Sequence, residues 1–283
     1  MEYKDRWYSA FLRQQIAKPF VHIVFGARQT GKSTIIQSVL PDSSTIINLA
    51  DPRERARFAA NPGMFIQLCQ ALPGTGAPAT VFVDEAPMVP ALFDAVQYLY
   101  DGDKQRYRFI LCGSSARRLR ESGDNLLPGR SIRHVLHPLI TDEYQVAEGT
   151  TLPSTILPLP MLPATTDPGP DKFPSRSLPQ RLVFGDLPGI ALLQSDDDRA
   201  DILSAYATAY LEEEILRETI VKDWGYFLRF LRFAAGDSGG IINYSGVSRE
   251  TGIASATVKA YYQLLEDMFI GLDRKSTRLN SSH

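Results

Sequence analysis

Gly26-Ala27-Arg28-Gln29-Thr30-Gly31-Lys32-Ser33 is the stretch whose residue types and spacing most directly name a chemistry. Gly, four residues, then Gly-Lys-Ser is the pattern of a phosphate-binding P-loop. Glycines let the backbone turn tightly, main-chain N–H groups form an anion-binding nest, and the following helix aims its positive end at the same phosphates. Lys32 would reach the β- and γ-phosphates of ATP, Ser33 would offer its hydroxyl to Mg²⁺, and Thr34 is counted with the loop among the nucleotide-binding residues. A plain glycine turn is the competing reading. The flanks favour the site: an apolar run from Val21 to Phe25 precedes it, and the apolar helical pattern Thr34-Ile35-Ile36 follows, as strand-loop-helix.

Thr80-Val81-Phe82-Val83-Asp84-Glu85 is an apolar strand that ends in two carboxylates. In a parallel α/β sheet, ligands gather at the carboxyl ends of the strands, so both acids would stand beside the P-loop. Asp84 would hold the Mg²⁺ hydration shell, and Glu85 would orient the attacking water. By itself an acidic strand end is equally a solvated turn; after a P-loop it reads as Walker B.

A further strand, Tyr107 to Cys112, runs into Gly113-Ser114-Ser115. Ser114, with Ser115 in reserve, is the candidate sensor of the γ-phosphate, against the alternative of a Ser-rich turn. Arg117, Arg118, Arg120 and Arg130 are candidates to stabilise charge on a transferring phosphoryl group. Arg130 is preferred, acting in its own site or in a neighbouring subunit; otherwise these arginines are solvated or pair with Glu121 and Asp124. His22, His134 and His137 lack metal-ligand spacing and read as core or edge residues.

The elements that must carry these groups follow in order. Asp5 to Ala17 spaces Trp7, Tyr8, Phe11, Leu12 and Ile16 as an amphipathic helix before the first strand. The helix after the P-loop reaches about Leu40, and a strand follows at Thr45 to Leu49. Asp51-Pro52-Arg53-Glu54 then reads as N-cap, first helical residue and capping-box partner, and Asn61-Pro62 restarts a helix. Another helix runs from Pro90 to about Tyr100, and Ile132 to Leu136 forms the last core strand. From Thr150 to Pro179 prolines accumulate, which predicts an extended linker or insertion. Residues 197 to 221 look helical, and Glu212-Glu213-Glu214 reads as a solvated face. Asp223 to Leu272 predicts a buried helix, then helix-turn-helix, then a strand opening at Met268-Phe269-Ile270, the outline of a winged helix. Lys259 is the lone cation of its would-be recognition helix, so partner docking is favoured over DNA contact.

Composition narrows the classes. At 44% hydrophobic and 22% charged, the chain is of ordinary globular type. Cys69 and Cys112 are its two cysteines and fall within a predicted helix and strand, which argues against a disulfide framework or zinc site. No apolar run approaches the roughly 18 residues that span a bilayer, and the N-terminus lacks a signal-peptide core, so a cytoplasmic location is expected. Asp273 to His283 matches a common sequencing-library adapter read in frame, and these eleven residues are set aside as a non-native tail. Without them the net charge moves from −2 to −4, which offers no global attraction to nucleic acid.

The chain resembles a prokaryotic family of predicted AAA+ superfamily ATPases that carry a C-terminal domain of unknown function. The resemblance rests on Gly26 to Ser33, Asn48 to Asp51, Val83-Asp84-Glu85, Phe109 to Ser115, Pro128-Gly129-Arg130, His137-Pro138-Leu139, Gly185 to Pro188, and Thr257 to Ile270. It implies an α/β fold: a P-loop NTPase with a parallel five-stranded sheet and helices on both faces, followed by helices and a winged helix-turn-helix. It further implies a restriction-endonuclease-like portion beyond Leu272. Two positions depart from the family: Cys112 replaces a usual Thr, and Ala86-Pro87 follows Glu85 where the family has a Gln.

The expected organisation is an AAA+-like ATP-binding core at 1–145, a Pro-rich linker or insertion at 146–180, a helical region at 181–222, a truncated winged-helix-like module at 223–272 and the tail at 273–283. Function is expected to be Mg²⁺-dependent ATP hydrolysis coupled to movement of the C-terminal module, in a monomer or a homo-oligomer. The alternative is a slow ATP-dependent switch that docks DNA or a protein partner with little turnover. A P-loop kinase is a third reading, which the Asp84-Glu85 pair disfavours; no Asn-Lys-x-Asp motif supports GTP.

Overall fold

The computed structural model describes residues 4–74, 76–114, 127–145, 172–210, 215, 221 and 223–272. Within these limits the chain forms two compact units, Met1–Ser204 and Ala205–His283. Ser115, Arg117, Arg118, Arg120, Glu212 to Glu214, residues 146–171 and the 273–283 tail lie outside the described residues.

The first unit is built on a parallel five-stranded sheet. Its strands are β1 (Val21–Phe25), β2 (Thr45–Asn48), β3 (Ala79–Asp84), β4 (Tyr107–Gly113) and β5 (Ser131–Val135), in spatial order β2-β3-β4-β1-β5. β1 is buried at every position, as a near-continuous apolar run covered on both faces must be. Helix α1 (Ser9–Ile16) and helix α2 (Lys32–Val39) cover one face: Leu12, Ile16, Ile35, Ile36 and Val39 pack on Val24, Phe82, Ile110 and Cys112.

Three further helices connect the strands: α3 (Pro52–Ala60), α4 (Gly63–Gln70) and α5 (Ala91–Gly102). Asp51 caps α3 by accepting from the Arg53 amide at 2.8 Å, with Pro52 in the first turn. Glu54 does not close a capping box; its carboxylate turns to Arg57 at 3.5 Å.

His22 and His134, on neighbouring strands, form a buried hydrogen-bonded chain. The Lys18 carbonyl can only accept, so His22 Nε2 donates to it at 3.4 Å and His22 Nδ1 is left to accept from His134 Nε2 at 3.0 Å. His134 Nδ1 then accepts from the Tyr8 hydroxyl at 2.9 Å. Burial pushes both imidazoles down to about 4.

Part of the segment read as linker is folded into this unit. Phe173 bridges to Tyr144 and is buried with Leu139, Tyr144 and Ala191. The short helices α6 (Leu178–Phe184) and α7 (Pro188–Ala191) follow. Asp186 between them accepts from Tyr144 Oη at 2.7 Å and from Arg181 Nε and Nη2 at 2.8 and 3.0 Å. Proline frequency marked an extended chain; it could not show that Phe173 would find a pocket. Helix α8 (Asp196–Ala205) completes the run.

A π-helical turn, Tyr206–Tyr210, opens the second unit. Its described helices are α9 (Trp224–Gly236), α10 (Tyr244–Thr251) and α11 (Ser255–Asp267), around a core that includes Phe227, Phe230, Val247, Val258, Tyr261 and Leu264. Asp223 and Asn243 cap α9 and α10, and Gly252 at φ 71 closes α10 in the left-handed conformation. The expected strand at Met268-Phe269-Ile270 is absent. Phe269 takes φ 58, and the Ile270 and Gly271 amides fold back onto the Leu265 carbonyl at 2.9 and 3.1 Å, so these residues terminate α11. No helix among the described residues is long and apolar enough to cross a membrane.

Candidate functional site

The loop after β1 is held tightly from within. A Cβ on Gly26 would lie 2.3 Å from the Leu136 carbonyl oxygen, a distance no side chain could accept, so only glycine fits where the chain leaves the sheet. Gly31 at φ 85 and Gln29 at φ 63 turn the loop back towards the helix. Thr30 is fully buried, and its hydroxyl donates to the Ala27 carbonyl at 2.8 Å. Lys32 is 6% exposed, with Nζ donating to the Gly26 and Ala27 carbonyls at 2.9 and 2.8 Å. This places a positive charge inside the loop.

Lys32 is also the first residue of α2, whose opening amides at Lys32, Ser33 and Thr34 have no acceptor within the helix. Ser33 is half-buried and Thr34 exposed at that end. Main-chain donors, a helix N-terminus and an enclosed ammonium together make an arrangement that attracts a polyphosphate.

Because the sheet is parallel, register shows which residues share the loop's edge. Asn48 pairs with Asp84, Cys112 with Val24, and Val24 with His134. Val83 pairs with Leu111, so Asp84 falls level with Cys112. Asp84 ends β3 two strands from β1, roughly 10 Å away at ordinary strand spacing. Cys112 stands between. Burial pushes its thiol well up, with Lys32 opposing and the Asp84 and Glu85 carboxylates reinforcing the shift. Lys32, Asp84, Glu85 and Cys112 therefore share one electrostatic neighbourhood.

Glu85 follows β3 in a left-handed conformation, φ 52 and ψ 39. For a non-glycine residue this costs about 1–3 kcal/mol and recurs at functional sites. The surroundings enforce it: the Glu85 amide donates to Asp84 Oδ1 at 3.1 Å, and the 3-10 turn Ala86–Met88 begins at once, with Pro87 inside it. Pro87 lies over the end of β4, so close that a Cβ on Gly113 would be 2.5 Å from its Cγ. The next residue is Ser114, 7% exposed at the same edge.

Arg130 is not brought to this edge. It precedes β5, its carbonyl accepts from the Val21 amide at the start of β1, and its guanidinium pairs with Asp101 at 2.7 Å. That pairing holds the Asp101 carboxyl below its ordinary range. A five-residue strand rises about 16 Å, which separates Arg130 from the P-loop of its own chain and corrects the expectation that it could serve that site.

One residue near the loop had no sequence signal. Arg6, before α1, is 5% exposed and donates to the Thr30 carbonyl at 2.7 Å, to the His137 carbonyl at 3.0 Å and to Glu143 at 2.5 Å. Its partners are scattered from Thr30 to Glu143, so periodicity and motif spacing could not join them.

Among the described residues no group of three or more His, Cys, Asp or Glu side chains could hold a metal ion alone. A Mg²⁺ that keeps waters and takes phosphate oxygens needs fewer protein donors, and the Ser33 hydroxyl and Asp84 carboxylate suit it.

Residues 18–145 match a family model described as an AAA domain, and residues 175–280 match a domain of unknown function (DUF8612). The first match covers the whole sheet and its loops and points to nucleotide binding of the P-loop ATPase kind. The second extends to residue 280. No curated protein matches the chain.

Proposed function

We propose that the chain binds ATP with Mg²⁺ and hydrolyses it at the P-loop edge of the sheet. The observation that carries this reading is the enclosure of Lys32 within a loop closed by Gly26 and Gly31, on the same edge as Asp84 and Glu85. The amides of the loop and of the first turn of α2 would bind the phosphates, and Lys32 would exchange its two carbonyl partners for phosphate oxygens. Ser33 and Asp84 would hold Mg²⁺, which when bound neutralises charge on the β- and γ-phosphate oxygens. Glu85, held by its strained turn, would accept a hydrogen bond from the attacking water, and Ser114 would sense the γ-phosphate. Arg130, at the opposite edge, would act on a neighbouring subunit in a homo-oligomer.

The helical second unit would be the responding module, by movement on turnover or by docking in the ATP-bound state. α11 exposes Lys259, and that single cation supports a protein partner over DNA. A cytoplasmic location fits this chemistry. Equilibrium ATP binding to the wild type and to Lys32→Ala tests the reading. Loss of one charge-assisted contact is expected to weaken binding by about tenfold or more, and equal affinity in the two would contradict it.

A further inference from the structure

We propose that Arg6 is a positioning residue of the phosphate loop: its guanidinium turns the Thr30 carbonyl away from the cradle, which aims the Gly31 amide into it, while Glu143 holds the guanidinium in place. This rests on the nucleotide-binding reading above and adds a residue to it.

In a trans peptide the C=O and the following N–H point in opposite directions. Arg6 Nη1 donates to the Thr30 oxygen at 2.7 Å, so the Gly31 N–H, across the same peptide plane, is directed to the other side. Gly31 is the last residue before Lys32, at φ 85, and a Cβ built on it would sit 3.5 Å from Arg6 Nη1. The guanidinium therefore lies directly behind the peptide that must face a phosphate. Its charge also favours an anion on the far side of that peptide.

Every edge of the guanidinium is engaged: Nη1 with Thr30, Nη2 with the His137 carbonyl at 3.0 Å, and Nε with Glu143 Oε1 at 2.5 Å. Glu143, 1% exposed, is fixed in turn by the Trp7 amide on Oε1 at 3.1 Å and the Ile140 amide on Oε2 at 2.8 Å. Such a satisfied pair fixes an orientation, which a lone buried charge does not. Lysine in place of Arg6 keeps the charge but cannot present a planar fork to three acceptors.

The test uses the full chain with Arg6→Lys, Glu143→Gln and the double variant. Two quantities are read: affinity for ADP with Mg²⁺, and hydrogen–deuterium exchange in peptides covering 26–34 and 79–84. The inference expects ADP affinity to fall about tenfold or more in Arg6→Lys, the weight of one well-aimed donor to phosphate. Exchange should rise in 26–34 and stay unchanged in 79–84. Glu143→Gln should shift both readouts the same way, and the double variant should fall no further than the weaker single one. Wild-type affinity with unchanged loop exchange in Arg6→Lys overturns the inference. So does faster exchange in both peptides, which would make Arg6 a staple of the whole unit. If the wild type binds no nucleotide, the functional reading fails, while the exchange comparison still decides whether Arg6 holds the loop.

Discussion

Pro87 closes over Gly113 so tightly that a single methyl on the glycine would approach the proline Cγ to 2.5 Å. This contact joins the end of β4, where Ser114 stands, to the turn that holds Glu85 left-handed. Gly113→Ala must therefore push Pro87 away and relax the Glu85 turn. We expect it to cost about 1–3 kcal/mol in stability, as overpacking does. ATP turnover should fall more than ATP affinity, since the cradle lies on β1. Urea unfolding with parallel binding and turnover assays checks this, and an equal loss in affinity would point to damage beyond the turn.

Gly26→Ala should be more severe, because the clash is with the Leu136 backbone oxygen at 2.3 Å and cannot be relieved by a rotamer change. Nucleotide binding is expected to disappear. Calorimetric titration with ATP should show no heat of binding, while a variant that binds normally would show that the chain need not leave β1 in this way.

The His22–His134 chain sets a pH dependence of stability. Both imidazoles are neutral when folded, pushed down to about 4, whereas an unfolded histidine titrates near 6.5. The unfolded state thus takes up protons first as pH falls. The stabilisation is complete above about 6.5 and is lost between there and about 4, at up to about 1.4 kcal/mol per pH unit for each histidine. His134→Gln should flatten that slope in melting curves between pH 7 and pH 4, and an unchanged slope would locate the protons elsewhere.

Much of the site was legible in the sequence because it depends on local order. The P-loop spacing, the apolar run of β1 and the carboxylates ending β3 each lie within a few residues, and a parallel sheet brings strand ends together. Relationships across long separations were not legible. Arg6 and Glu143 meet only because α1 and the segment after β5 both pass beside the loop. Arg130 precedes β5, and in a parallel sheet that order alone puts it at the edge opposite the strands' carboxyl ends, so its distance from the P-loop was legible and was missed. Met268-Phe269-Ile270 has a strand's composition, yet helix termination by the Leu265 carbonyl prevails. Pro87 marked a departure without revealing that it packs on Gly113.

Arg130→Ala should leave ATP affinity within experimental error of the wild type, since Arg130 pairs with Asp101 at the far edge, and should change stability little, as the loss of an exposed ion pair does. If it acts on a neighbouring subunit, mixing Arg130→Ala with Lys32→Ala should restore part of the turnover that each lacks. Loss of ATP affinity in Arg130→Ala would contradict its placement.

Glu85 carries the central claim, that this edge of the sheet hydrolyses ATP as well as binding it. The most direct measurement is single-turnover hydrolysis by Glu85→Gln beside its equilibrium ATP affinity. The account predicts wild-type affinity with turnover reduced about 100-fold or more, the contribution of a positioned base. Wild-type turnover in Glu85→Gln would contradict it, and tight binding with negligible turnover in the wild type itself would make the chain a nucleotide switch.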